Sequence, residues 1–405
     1  MATMILVTHG SKGDVLPFIK LARTLRERGH RVRFLTHAVF ADAARDTGVE
    51  FVPIDTVEQY RRQQQDEEAF LVGQLRGLEP ESVLAFYRRN RLYETVRGEV
   101  ELIGEHRDDP DAVVVARHSS GLSALTAREL YGLPAAWVSP TPSMLMSMPA
   151  AVVTHREILA ELLQEQLRAP LGLPPVTDWA GWLDSADLQL GMWPRWFDRA
   201  GTPAPSGVHP VGFMLDDGAE SGGLPDGLDA LLDRDPAPIL ISGSSGGLSR
   251  DVFKTFALSA AAKVGRGAIV VGGRREDLPA NAAWYPSLPF ADVVPRVGAI
   301  IHHGGIGTVA RALSSGTPQL ILAYNFDRPD NGRRLQARSL ARWLPPKLWT
   351  EDAITAALEA ILATDPVPNR YRPDFSASAA AAAARIESLI GTSRPYVPEP
   401  AAAVI

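Results

Sequence analysis

One rhythm constrains this chain more than any other feature, and it occurs twice: a short apolar strand, a turn of small residues, then a segment with helical spacing. Residues 4–8 read as a strand, 10–13 as a flexible turn, and 15–28 as a helix with Phe18, Leu21, Ala22 and Leu25 on one face, ended by Gly29. A strand at 32–36, a helix at 38–47 and a strand at 49–53 follow. The rhythm resumes with a strand at 112–116, a helix at 119–131 and a strand at 135–139. It begins afresh at 239–242, with helices at 251–264 and 308–314 and strands at 268–271, 298–301 and 319–324. Strands alternating with helices predict parallel, doubly wound α/β sheets. Two copies in 405 residues predict two domains of about 150–200 residues each. The pattern loosens between 140 and 207, where Met144, Met146 and Met148 alternate. Residues 201–208 are rich in proline and glycine and 216–227 are loop-like. The expected division is therefore 1–215, 216–377, and a C-terminal helix and tail over 378–405. Ligands of such sheets bind at the carboxyl ends of the strands, and two facing copies make an interdomain cleft the default site.

Composition removes several classes of function. A formal charge of −6 argues against a general nucleic-acid binder. The absence of cysteine excludes disulfides, thiolate metal sites and a cysteine nucleophile. The start, MATMILVTHG, lacks the basic region of a signal peptide, and no apolar run approaches the ~20 residues that span a bilayer. A cytoplasmic protein is expected, with membrane contact at most peripheral. The segment FYRRNRLY (86–93) could touch an anionic surface, but a helix with a solvated basic face is the simpler reading.

The turn HHGGIGT, residues 302–308, carries the strongest chemical signal. Glycines let backbone N–H groups approach an anion, and a helix start adds about half a positive charge. Thr308 can cap the helix or donate to a phosphate, and His303 can donate to the same group. Taken alone, the turn reads nearly as well as a plain glycine-rich connector. Gly305-x-Gly307-x-x-Ala310 also fits a dinucleotide fingerprint, with Asp327 about 20 residues on, which keeps an NAD(P)-dependent oxidoreductase open. Asp327 lies beyond the next strand rather than at its end, which weakens that match. Gly243-x-Ser245-x-Gly247 fits a hydrolase elbow, but a serine there serves more simply as a hydroxyl donor.

In the first half, Asp14 follows the turn HGSKG. It reads equally as a helix N-terminal charge and as a general base on a cleft floor. A carboxylate is a weak base, so removal of an alcohol proton would be concerted with bond formation, assistance worth about 10²–10⁴ in rate.

GSKGDVLPFIKLARTLRERGHRVRFLT, PVGF at 210–213, the turn after PILIS, and HHGGIGTVARALSSGTPQLILAYNFDRPDNGRRL together resemble the inverting family-one glycosyltransferases of GT-B fold, of the bacterial natural-product and lipid type. The resemblance covers nearly the whole chain. It implies Asp14 as catalytic base, and a donor site drawing on Gly10, Ser11, Gly13, Gly243, Ser244 and Ser245. The same site takes in Leu288 and Phe290 near the nucleobase, with His303, Gly305, Ile306, Gly307 and Thr308 on the diphosphate. Asp327 and Arg328 fall at the sugar. It implies no metal or other required cofactor, a dTDP- or UDP-sugar donor, and a small, apolar acceptor; a homodimer is left open. Arg328 stands where the family has glutamine, so glucose is not assumed. Arg311 stands where many members carry a ribose-binding glutamate, which favours a deoxyribose and hence dTDP. A nucleotide-sugar-binding protein without turnover is the rival reading from another class.

Overall fold

A computed structural model of the chain describes residues 1–73, 80–118, 121–154, 156, 160–216, 223–243, 250–272, 278–324, 327–364 and 367–394. It contains two parallel sheets. The first comprises β1 (Thr3–Val7), β2 (Arg31–Thr36), β3 (Glu50–Pro53), β4 (Val113–Arg117), β5 (Ala135–Ser139), β6 (Leu188–Gly191) and β7 (Val208–Pro210), in the order β3-β2-β1-β4-β5-β6-β7. The second comprises β8 (Ile239–Ser242), β9 (Ala268–Val271), β10 (Ala282–Tyr285), β11 (Ala299–His302), β12 (Gln319–Leu322) and β13 (Arg342–Leu344), in the order β10-β9-β8-β11-β12-β13. The doubly wound expectation is met in both halves.

Why these segments become buried parallel strands is visible in their side chains. In ILIS, Ile239 and Ile241 pack with Ile301, Leu320, Leu322, Leu358 and Ile361 on one side of the sheet. Leu240 and Ile300 pack with Leu228, Leu232, Val293 and Val294 on the other. Helices cover both faces, so the strands read as continuous apolar runs rather than as alternation.

The strand order reverses direction between β1 and β4 in one sheet and between β8 and β11 in the other. At such a switch point, consecutive crossovers leave in opposite directions and open a crevice beyond the strand ends. Four segments therefore end at the two crevices: the turn after β1, Arg117 at the end of β4, Ser242 at the end of β8, and the turn after β11.

By packing, the chain divides into two units: Met1–Ser139 and Ser147–Leu190 with Ala380–Ile405, and Pro140–Met146 with Gly191–Ala379. Residues 191–215 thus group with the second unit, unlike the division expected from proline and glycine content. Their apolar side chains decide it: Trp193, Phe197, Val208, Phe213 and Leu215 bury against Val309, Leu313, Ile321 and Leu335. Arg334, fully buried on the helix Arg328–Gln336, adds a polar clamp. Its Nε donates to Asp330 at 2.6 Å, and its terminal nitrogens donate to the carbonyls of Phe197 (3.0 Å), Asp198 (2.7 Å) and Thr202 (2.6 Å).

Other expectations need correction. The segment 38–47 is a series of short helical turns, not one helix, and Gly48 in the left-handed region ends it where expected. The methionine segment is the helix Pro142–Thr154, not a strand or loop. Residues two apart on a helix point in different directions, so alternation does not put Met144 and Met146 on one face; Leu145, between them, is the buried residue. In 86–93, Arg88 pairs with Glu161, Arg89 with Asp66 at 2.5 Å and Arg91 with Glu94 at 3.3 Å, while Tyr87 and Tyr93 pack against Val83 and Leu84. The arginines stand exposed on the surface, as the simpler reading of a solvated basic face expects, while Phe86 is buried. Among the described residues, no helix is long and apolar enough to cross a membrane.

Candidate active site

At the first crevice the turn Thr8–Asp14 folds back on itself. The helix Lys12–Glu27 starts earlier than its apolar pattern suggests, with Ser11 as N-cap and Asp14 at the third helical position. Ser11 donates to Asp14 Oδ2 from its backbone N (2.9 Å) and its hydroxyl (3.0 Å). The other oxygen, Oδ1, accepts from the Arg117 guanidinium at 2.8 Å, so the ion pair spans the switch point from the β1 turn to the end of β4. Gly10 is required by shape. Its φ is +115°, and a Cβ there would lie 2.5 Å from the Asp14 carboxylate.

Other polar groups converge on this turn. Tyr60 donates to the Gly10 carbonyl at 3.2 Å. Burial, then the charges of Glu67, Asp14 and Asp55, pushes its phenol up to about 12, so it stays a donor at neutral pH. Burial and Asp14 also push Glu67 above the usual carboxyl range, with Arg117 opposing. His37 accepts from the Gly10 N–H at 3.1 Å through Nε2 and meets Asp55 at 2.7 Å through Nδ1. Opposite ring nitrogens are thus assigned opposite roles. His9, in the same turn, bonds through Nε2 to Glu99 at 2.5 Å; Glu99 is 1% exposed and also accepts from Ser123 at 2.7 Å. Aspartate at the turn was legible in the sequence. Arg117, His9, Glu99 and Glu67 were not, because they lie up to a hundred residues apart and meet only through the sheet order.

At the second crevice, β11 runs into His303, Gly304 and the helix Ile306–Ser315, whose N-cap is Gly305. Thr308 is therefore inside the first turn and does not cap the helix, which leaves the second of its two expected roles, a hydroxyl facing a phosphate, untouched. His302 is fully buried: its Nδ1 accepts from Gly304 N (3.2 Å), and its Nε2 faces Gln319 Oε1 at 3.1 Å. Burial pushes it down to about 4, so it stays neutral and fixes the turn's shape. His303 Nδ1 donates to the Ser242 carbonyl at 3.4 Å, spanning the switch point from β11 to β8. Burial, then Arg328, then His302 push His303 down to about 3. A neutral imidazole with Nδ1–H carries no proton on Nε2, so His303 can donate to an anion from Nε2 only if a proton arrives with it.

The glycines of this turn divide by cause. Gly304 has φ +85°, and a Cβ there would meet Ile321, Arg328 O and Ala323 at 3.0–3.3 Å. At Gly305 a Cβ would lie 2.5 Å from His303 Nε2. At Gly307 the only described neighbour of a Cβ is Leu215 at 3.6 Å, an ordinary contact. Packing demands the first two and not the third. A bare first turn at Gly307 suits an approaching anion.

Asp327 is the N-cap of the helix Arg328–Gln336, and its Oδ2 accepts from Asn331 at 2.8 Å. The strand before it, β12, ends at Leu322. An acid contacting a dinucleotide ribose belongs at a strand end, so the oxidoreductase fingerprint fails on position. Leu288 and Phe290 are half-buried beside Tyr285 and the cluster of Leu240, Ile269 and Val293. Arg311 is buried, with its guanidinium 5.3 Å from the centre of the Phe375 ring. Gly243 follows β8, whereas Ser244 and Ser245 lie outside the described residues.

Comparison with known proteins agrees with this geometry. Residues 4–80 match the glycosyltransferase family 28 N-terminal domain, and residues 262–384 match the C-terminal domain of erythromycin biosynthesis protein CIII-like proteins. The chain is 26% identical to O-mycaminosyltylonolide 6-deoxyallosyltransferase of Streptomyces fradiae, over 89% of this chain and 90% of that one. It is 24% identical to sterol 3-beta-glucosyltransferase UGT80A2 of Arabidopsis thaliana, over 83% and 57%. Among solved structures it superposes on CalG4, the calicheamicin glycosyltransferase, with a TM-score of 0.66 at 21% identity, covering 98% and 100%. It superposes on glycosyltransferase VinC in complex with dTDP with a TM-score of 0.63 at 19% identity, covering 96% and 95%. Two doubly wound sheets, with Asp14 at one switch point and a glycine turn at the other, thus make the GT-B fold, and the chain is similar along most of its length to antibiotic and sterol glycosyltransferases.

Proposed function

We propose that the chain is an inverting, metal-independent glycosyltransferase. It moves a sugar, a deoxysugar or a hexose, from a dTDP- or UDP-sugar to a hydroxyl of a small apolar acceptor such as a natural product or lipid alcohol. The observation that carries this reading is the turn from His303 to Thr308. It joins a left-handed glycine, a bare first helical turn and the positive charge of Arg328 at the switch point of the second sheet. Those groups suit a diphosphate.

As the anomeric carbon–phosphate bond breaks, the acceptor oxygen bonds to that carbon from the opposite face, and its proton passes to Asp14. The nucleoside diphosphate leaves with its added charge held by the amides of 305–308, His303 and the serine-containing turn that begins at Gly243. Asp327 accepts hydrogen bonds from the sugar, with Arg328 beside it. Leu288 and Phe290 hold the base, and the turn Gly10–Gly13 closes on the donor. Arg311 supports dTDP over UDP: a guanidinium accepts no hydrogen bond, so this position lacks the acceptor with which a glutamate holds the ribose hydroxyls. The dTDP complex of VinC and the deoxysugar in the name of the Streptomyces fradiae relative lean the same way.

Asp14→Asn keeps an oxygen to accept from Ser11, so the helix start survives while the base is lost. Turnover is expected to fall about 10²–10⁴-fold with nucleotide-diphosphate binding unchanged. Near-normal turnover removes Asp14 from the role. UDP binding tighter than dTDP, measured by calorimetry, would sink the assignment of the nucleotide.

A further inference from the structure

The second crevice contains one side chain that touches both halves of the expected donor site. Asn331 is completely buried on the helix Arg328–Gln336. Its amide nitrogen donates to the Gly304 carbonyl at 3.0 Å and to Asp327 Oδ2 at 2.8 Å. Gly304 opens the phosphate turn, and Asp327 is the acid at the sugar. Twenty-seven residues separate Asn331 from the first and four from the second.

The orientation of this amide is dictated by its partners. Both partners are acceptors, so only the NH₂ end can face them; a flipped amide would set oxygen against oxygen. The amide oxygen, in turn, is buried with no hydrogen-bond partner among the described residues. Leaving a buried carbonyl unsatisfied disfavours folding, so stability alone does not account for an amide at this point. An apolar side chain of the same size would fill the space. What it would not do is fix the Gly304 carbonyl, and with it the amides that follow, at a set distance from the Asp327 carboxylate.

We propose that Asn331 is a positioning residue that couples the diphosphate grip to the sugar grip, so that the two are recognised as one ligand. The two N–H groups of a single planar amide cannot be adjusted independently, so a shift of the phosphate turn moves the carboxylate with it. The proposal rests on the glycosyl-transfer reading and on Asp327 meeting the sugar.

The test compares dTDP with dTDP-glucose, and UDP with UDP-glucose, by calorimetry on the full chain. For Asn331→Leu, affinity for the bare diphosphate should change by no more than about threefold. Affinity for the sugar nucleotide relative to the diphosphate should fall about tenfold, and the melting temperature should drop by a few degrees because the Gly304 carbonyl loses its partner. Asn331→Asp keeps the size but replaces the donor with an acceptor, and should shift the ratio further. In an Asp327→Asn background, Asn331→Leu should shift the ratio no further, because the coupled carboxylate is already gone. An unchanged ratio, or an equal loss for both ligands, overturns the coupling. If Asn331→Leu fails to fold, Asn331→Asp and the Asp327→Asn background carry the same comparison. Failure of the wild-type chain to bind either diphosphate would instead overturn the donor-site reading itself.

Discussion

The two sheets share a strand order, yet their switch points are bridged by opposite chemistry. Between β1 and β4 the bridge is a carboxylate and a guanidinium, Asp14 and Arg117, in a neighbourhood that also holds Glu67, Tyr60, His9 and Glu99. Between β11 and β8 the bridge is a neutral imidazole on a carbonyl, His303 and Ser242, beside glycine amides and a helix start. One crevice gathers ionisable side chains around a carboxylate; the other gathers backbone donors and a neutral imidazole, with the positive charge of Arg328 beside them. The same topology therefore offers two different services, and side chains at four strand ends decide which.

The comparison can be broken at either bridge. The largest effect is expected from Gly305→Ala, because its Cβ would sit where His303 Nε2 lies. Nucleotide-diphosphate affinity should fall about 30–100-fold, as the imidazole is displaced and its hydrogen bond lost. Calorimetry measures this directly, and a change under threefold would show that the turn is not the anion site. Arg117→Met removes the partner of Asp14 at the other bridge. Turnover should fall about 10–30-fold, the loss of one charge-assisted hydrogen bond, while diphosphate affinity stays within twofold. Loss of diphosphate affinity instead would end the division of labour.

A smaller effect sharpens the contrast. Burial and Arg328 push His303 down to about 3, so its imidazole is neutral at pH 7, with its one proton on the nitrogen facing Ser242. A bound diphosphate favours the imidazolium, so binding should take up part of a proton, and affinity should decline severalfold from pH 6 to pH 8. Calorimetry in buffers of different ionisation enthalpy reads the uptake. A flat profile with no uptake would leave His303 a purely structural hinge.

The smallest effect concerns the last helix. Arg28 (2.6 Å) and His30 (2.9 Å) hold Glu387 down at about 2, against 4.5 for a free side chain. The depressed value stabilises the fold fully above pH 4.5, and the gain disappears as pH falls toward 2. The pair is partly screened by solvent, so Glu387→Gln should cost only about 1 kcal/mol, a drop of about 2 °C in melting temperature at pH 7 that shrinks below pH 4.5 and vanishes near pH 2.

Much of this molecule was legible along the chain because its signals are local. A strand, a small-residue turn and a helix are consecutive, so ILIS, HHGGIGT and the Asp14 turn could be read in place. Arg117 and Asn331 were not legible. Arg117 sits at a strand end 103 residues past Asp14 in sequence and becomes its partner only when β4 lies next to β1. Asn331 resembles any polar helix residue until Gly304 packs against it. Helix starts were read late at both turns, since glycine and serine at the first helical positions hide the apolar period that begins after them. The 191–215 segment misled for the reverse reason: prolines and glycines suggested a junction, while Trp193, Phe197 and Phe213 had already committed it to a core.

The Arg334 clamp has a practical consequence for anyone wishing to express the second half alone. A fragment beginning at residue 216 would discard three of the four partners of a fully buried guanidinium, together with five large core side chains. Stranding that charge costs about 3–5 kcal/mol on its own, enough to unfold an ordinary domain once the lost packing is added. A fragment beginning at Gly191 keeps the anchor, so the cut that looks natural on paper is the one to avoid at the bench.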